Sequence, residues 1–80
     1  MNSSVSSGPL TANTLLANAS YVKSVLVGTG ATVTLYNGTD TTGKNIFSAG
    51  AGFYDFAHMV QSKNGLYVAV SGGTAYVYYN

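Results

Sequence analysis

The sequence predicts an all-β chain, a small antiparallel β-sandwich or jelly-roll-like barrel of about six to eight short strands. Three observations predict it. Short runs rich in β-branched and aromatic residues recur along the 80 residues, as in Tyr21–Val27, Leu66–Val70 and Thr74–Tyr79. Glycine-containing connections stand between them, Gly28-Thr29-Gly30 and Ser71-Gly72-Gly73 among others, and glycine takes the positive φ that tight connections need. Interior helix signals are almost absent. The length admits one small domain. We read it as residues 10–80, preceded by a flexible arm over residues 1–9.

The arm, through Pro9, is polar and small and can order against a neighbour. In Leu10–Ala19, Leu15 and Leu16 would suit a short helix, but Thr11, Asn13, Thr14 and Asn18 form helix poorly, so the favoured reading is an extended segment around Thr14–Ala17. Tyr21–Val27 is the first clear strand. After Gly28-Thr29-Gly30 the chain returns as Ala31–Tyr36, where Thr32, Thr34 and Tyr36 alternate with Val33 and Leu35 to give one polar and one apolar face. Asn37–Asn45 is a turn-rich loop, Asn45–Ala49 a short strand, and Gly50-Ala51-Gly52 a joint. Phe53–Val60 reads as strand, with Phe53, Asp55, Ala57 and Met59 on one face and Tyr54, Phe56, His58 and Val60 on the other. Asn64-Gly65 marks a turn before Leu66–Val70. Ser71-Gly72-Gly73 then leads into the last strand, Thr74–Tyr79.

Composition excludes several functions. Charged residues are 6% of the chain, against about 25% in an ordinary soluble domain. The three lysines make no basic stripe for nucleic acid. Asp40 and Asp55 are the only acids, which leaves little for paired-carboxylate catalysis. There is no cysteine for a disulfide, a redox thiol or a thiolate metal site. No apolar run is long enough to span a bilayer, and Met1–Ser4 show neither part of a secretory leader. Asn2-Ser3-Ser4, Asn18-Ala19-Ser20 and Asn37-Gly38-Thr39 match the glycosylation acceptor pattern and are read as chance in a chain this rich in Asn, Ser and Thr. A chain this neutral and short, without disulfide or metal, is expected to gain stability by burying surface against copies of itself or a larger assembly.

Two motifs come close to chemistry. Gly38–Lys44 carries the Gly-x4-Gly-Lys spacing of a phosphate-binding loop, but Asn45 stands where Ser or Thr would hold magnesium, and the next residues read as strand, not as the helix whose N-terminus faces phosphate. The simpler reading is a hairpin loop whose glycines and Asp40 serve turn geometry. Asp55 and His58 are close in sequence but fall on opposite faces of a strand, and no serine is singled out as their nucleophile. We therefore expect no catalytic residue, cofactor or metal site. The tyrosines are the densest chemical feature. Tyr36, Tyr67, Tyr76, Tyr78 and Tyr79 are candidates for an interface, where tyrosine is enriched and charge depleted; cross-strand pairing and a stacking platform for sugars are the competing readings. Val25, Val27, Gly30, Tyr36 and Asn37 recur 43 residues later as Val68, Val70, Gly73, Tyr79 and Asn80, which suggests two equivalent glycine-turned hairpins.

The run Thr32–Gly38, the loop Thr39–Gly43 and the run Gly65–Ala75 resemble small β-sandwich structural proteins of tailed-bacteriophage virions. Residues 17–80 follow their pattern, while Gly50–Lys63 matches none of it. The resemblance implies a non-enzymatic virion protein, a capsid decoration (cement) protein on the capsid surface. It would self-associate, as a homotrimer, and bind a major capsid or other virion protein, with no nucleic-acid or membrane partner. The alternative is a carbohydrate- or receptor-binding module of a tail or fibre, with the aromatics as its platform.

Overall fold

A computed structural model describes residues 5–16 and 21–80, with the side chains of 57–60 left aside. The chain is all-β, with no helix among the described residues. Its strands are β1 (Val5–Ser6), β2 (Thr14–Leu16), β3 (Tyr21–Val27), β4 (Thr32–Asn37), β5 (Lys44–Ala49), β6 (Gly52–Gln61), β7 (Leu66–Ser71) and β8 (Ala75–Tyr79). They form two four-stranded antiparallel sheets: sheet I in the order β1-β8-β3-β6, and sheet II in the order β2-β7-β4-β5. This is the strand order of a jelly roll. The acceptor sequences at Asn2 and Asn18 and the end of the Leu10–Ala19 segment lie outside the described residues.

Alternation builds the core. Val25 and Val27 of β3, Val33 and Leu35 of β4, Leu66, Val68 and Val70 of β7, and Ala75 and Val77 of β8 all turn inward and are buried. Phe47, Tyr54 and Phe56 pack against this cluster from β5 and β6. Phe47 meets Tyr54 and Phe56 edge-on, at ring separations of 5.3 and 5.1 Å, the geometry the aromatic quadrupole favours.

Of consecutive strands, only β4 and β5 are neighbours in one sheet. The β3–β4 and β7–β8 connections, expected as hairpins, instead cross from one sheet to the other. Glycine is needed there for close approach. Gly72 has φ +80, and a Cβ on it would lie 2.5 Å from the carbonyl oxygen of Gly30. The two connections pass against each other backbone to backbone.

Adding four to each strand number, counting past eight from one, turns sheet I into β5-β4-β7-β2, which is sheet II read from its other edge. The two sheets thus share one strand order displaced by half the chain, a twofold repeat in topology. Registers fix the residue equivalence. Val25 faces Val77 in sheet I and Val68 faces Leu35 in sheet II. Val25 and Val68 are 43 residues apart, but Leu35 and Val77 only 42. The second crossing, 72–74, is one residue shorter than the first, 28–31. The 43-residue echo therefore holds for β3 and β7 and slips on β4 and β8. Tyr36 corresponds to Tyr78, not to Tyr79.

Residues 5–10, nearly all within the segment read as an arm, run along the chain's own β8. Val5 and Ser6 pair with Tyr79 and Tyr78. The Ser7 N–H donates to the Val77 carbonyl at 2.8 Å, while the Ser7 hydroxyl accepts from the Val77 N–H at 3.0 Å. Leu10 and Ala75 exchange both backbone bonds. The Ser7 hydroxyl thus continues the ladder where the backbone alone does not.

Candidate functional site

The five tyrosines singled out by the sequence divide among three places. Tyr36 and Tyr67 face each other in register on the outside of sheet II, with rings 6.4 Å apart and tilted by 51°. Leu15 extends that row from β2, opposite Tyr67. Tyr76 and Tyr78 stand on the outside of sheet I, since Ala75 and Val77 between and beside them turn inward. Tyr79 has the inward parity and packs against the core.

The outside of sheet I carries a row that sequence reasoning did not single out. Leu26 is opposite Phe53 on one side and Tyr76 on the other, so Phe53, Leu26 and Tyr76 lie side by side across β6, β3 and β8. Phe53 is 60% exposed and Leu26 38%. The row reaches the sheet's edge, because β6 is an outer strand. Next to it runs a polar row in which Ser24 is opposite Asp55 and Tyr78, and Ser6 opposite Tyr78. The signal was present in the alternation of Phe53 with Tyr54. Both positions are aromatic, however, so periodicity alone does not say which ring faces water.

The outside of sheet II is built from hydroxyls. Thr32 and Ser71 share a hydrogen bond of 2.8 Å, and Thr34 and Ser48 one of 3.0 Å, each between residues directly opposite in the ladder. Threonine fits here because its branched Cβ suits the pleat while its hydroxyl finds a cross-strand partner.

The loop between β4 and β5 is a hairpin loop. Asp40 accepts hydrogen bonds from the Thr42 N–H, at 2.9 Å, and from the Thr42 hydroxyl. The hydroxyl bond first, then the backbone bond, hold its carboxyl below the usual value of 3.8. The Gly43 N–H donates to the Asp40 carbonyl. Lys44 opens a strand, so no helix N-terminus faces this loop. Asp55 is exposed on sheet I; the side chain of His58 lies outside the described residues. Among the described residues there is no group of three or more His, Cys, Asp or Glu able to hold a metal, no enclosed pocket, and no helix long and apolar enough to cross a membrane.

What the geometry offers is surface: an apolar row on one sheet and a hydroxyl and tyrosine face on the other. Comparison with protein-family models, with curated proteins and with solved structures finds no match to this chain.

Proposed function

We propose that the chain is a non-enzymatic structural protein of a phage virion, a capsid decoration protein that self-associates and covers contacts between major capsid subunits. The observation that carries this reading is the Phe53–Leu26–Tyr76 row, with Phe53 and Leu26 exposed and Tyr76 half-buried, on a chain with only three lysines and two aspartates. A contiguous apolar surface rimmed by polar residues marks an interaction site. The low charge removes the repulsion that keeps small domains apart. The motifs of Thr32–Gly38 and Gly65–Ala75 supply the phage part of the reading; the jelly-roll order is compatible with it but common to many functions.

Light scattering over a dilution series tests the first step. A trimer that persists on dilution, and that binds undecorated capsids and raises their melting temperature, is the expected result. A persistent monomer, or capsid binding with no gain in melting temperature, overturns it.

One observation favours the second reading, a carbohydrate-binding module. Tyr36 and Tyr67 form a paired aromatic surface on the outside of sheet II, flanked by hydroxyls. A glycan array, with tyrosine fluorescence as readout, separates the two. Only the second reading expects a glycan to shift the signal and Tyr67→Ser to abolish the shift.

A further inference from the structure

Two Asn-Gly dipeptides meet at one end of the sandwich. Asn37-Gly38 closes β4, and Asn64-Gly65 lies in the turn between β6 and β7. They are tied together. The backbone N–H of Asn64 donates to Oδ1 of Asn37 at 2.9 Å, and the N–H of Gly38 donates to the carbonyl of Gly65 at 3.1 Å. An asparagine followed by glycine is open to attack by the next residue's amide nitrogen, because glycine has no Cβ to block the approach. The surroundings of the two dipeptides differ sharply.

We propose that Asn64 is a site of spontaneous deamidation, and that its conversion releases Asn37 to follow, so that the chain ages in an ordered pair of steps. In each step the glycine amide nitrogen, losing its proton to solvent base, bonds to Cγ of the asparagine. The Cγ–Nδ2 bond breaks and ammonia leaves. The succinimide ring so formed takes up one water at either carbonyl and opens to aspartate or isoaspartate. Water is the only co-reactant.

Asn64 is exposed, and its side-chain amide has no hydrogen-bond partner among the described residues. Gly65 follows it at φ +105. The one bond that engages the attacking nitrogen, from the Gly65 N–H to the Ser62 carbonyl, is long at 3.3 Å and near the limit of a hydrogen bond. Asn37 is the opposite case. It is half-buried and paired on both sides, with Leu66 and with Lys44. Its Oδ1 is held by Asn64, and the nitrogen that would attack it is held by Gly65. Ring closure at Asn37 must take the Gly38 N–H away from Gly65 and swing Cγ toward that nitrogen while Oδ1 is tethered to Asn64.

Both bonds come from the other dipeptide. An isoaspartate at 64 routes the main chain through the former side chain and lengthens it by one carbon between the Asn64 N–H and the Gly65 carbonyl. The packing leaves no slack for this, since a Cβ on Gly65 would already stand 3.1 Å from the Gly38 carbonyl oxygen. Reaction at 64 therefore unlatches 37. It also changes the chain electrically. The formal net charge is +1 at pH 7, and each conversion adds one carboxylate. The first takes the chain to neutrality and the second inverts its sign, at a composition where few other charges dilute the change.

The test is timed peptide mass mapping of the folded full chain in warm, mildly alkaline buffer, with isoaspartate counted by enzymatic methyl labelling. The expected result is a one-mass-unit gain at Asn64 first and at Asn37 after a lag. In the Asn64→Gln variant, which keeps the backbone bond to Asn37, the Asn37 conversion should slow several-fold. Conversion of Asn37 as early as Asn64, an unreacted Asn64 in a chain whose urea-unfolded form reacts, or an unchanged Asn37 rate in the Gln variant would each overturn the proposal.

Discussion

The two halves of the sandwich agree inside and differ outside. At equivalent inner positions stand Val25 and Val68, Val27 and Val70, Leu35 and Val77, and Val33 and Ala75, all buried. At equivalent outer positions Leu26 corresponds to Ala69 and Tyr76 to Thr34, so the apolar row of sheet I stands where sheet II carries small side chains and hydroxyls. One row further on, the relation reverses on β3 and β7. Ser24 corresponds to Tyr67, while Tyr78 corresponds to Tyr36. The inner positions answer to packing, which both halves must satisfy alike. The outer positions are released from that demand, and there the two faces have taken different chemistry.

The largest effect comes from breaking the shared interior. Leu35 and Leu66 are each fully buried, on the neighbouring strands β4 and β7 of sheet II. Leu35→Ala and Leu66→Ala should each cost about 2–5 kcal/mol by cavity formation, a large share of the roughly 5–15 kcal/mol that holds a small domain. Urea unfolding would show it, and a loss below about 1 kcal/mol at either position would deny that the shared interior holds the fold. The crossings come next. Gly72→Ala places a Cβ at positive φ and against the Gly30 carbonyl, and should cost about 1–3 kcal/mol from the backbone alone. Gly50→Ala meets nothing within 4 Å and should stay within about 0.5 kcal/mol of wild type.

Substitutions on the outer faces sharpen the contrast, since they separate stability from association. Phe53→Ser should change unfolding free energy by only about 0.5 kcal/mol while lowering the solution mass. Tyr67→Ser removes a ring pair worth about 0.5–1.5 kcal/mol and should leave the mass unchanged. If both variants associate as wild type does, the apolar row is not the contact surface. Thr34→Val keeps the branched Cβ and deletes one exposed hydroxyl pair, so a loss of only about 0.2–1 kcal/mol is expected.

Most strands could be read from the sequence because alternation is a local property. Val33 and Leu35 between Thr32, Thr34 and Tyr36 fix a face whatever the strand later pairs with. Sheet membership is not local. Gly28-Thr29-Gly30 looks the same whether the chain folds back beside itself or crosses to the other sheet, and here it crosses. The tyrosine echo failed for a related reason: one residue fewer in the second crossing moves the match of Tyr36 from Tyr79 to Tyr78 and reverses the face. Val5 and Ser6 pair with β8 through a backbone ladder that any polar segment can make, so composition alone reads as an arm. The Phe53 row was hidden because aromatics occupy both faces of β6.

The smallest expected effect belongs to the β4–β5 loop, the hairpin that stays within one sheet and carries no residue of the apolar row or of the Tyr36–Tyr67 pair. The Thr42 hydroxyl, and then its backbone N–H, lower the Asp40 pKa from 3.8. A carboxyl depressed in the folded state contributes stability that is fully present above its unfolded value. That contribution fades as pH falls through the lower, folded value. Asp40→Asn retains a carbonyl acceptor for Thr42 but has no charge to titrate. The wild type should therefore melt slightly above the variant from neutral pH down to the ordinary aspartate range, and the gap should close in stronger acid. Asp40 is fully solvated, so salt should narrow the gap as well. A gap that widens on acidification would mean that the loop draws on the neutral acid instead, and that Asp40 holds the turn as a hydrogen-bond donor.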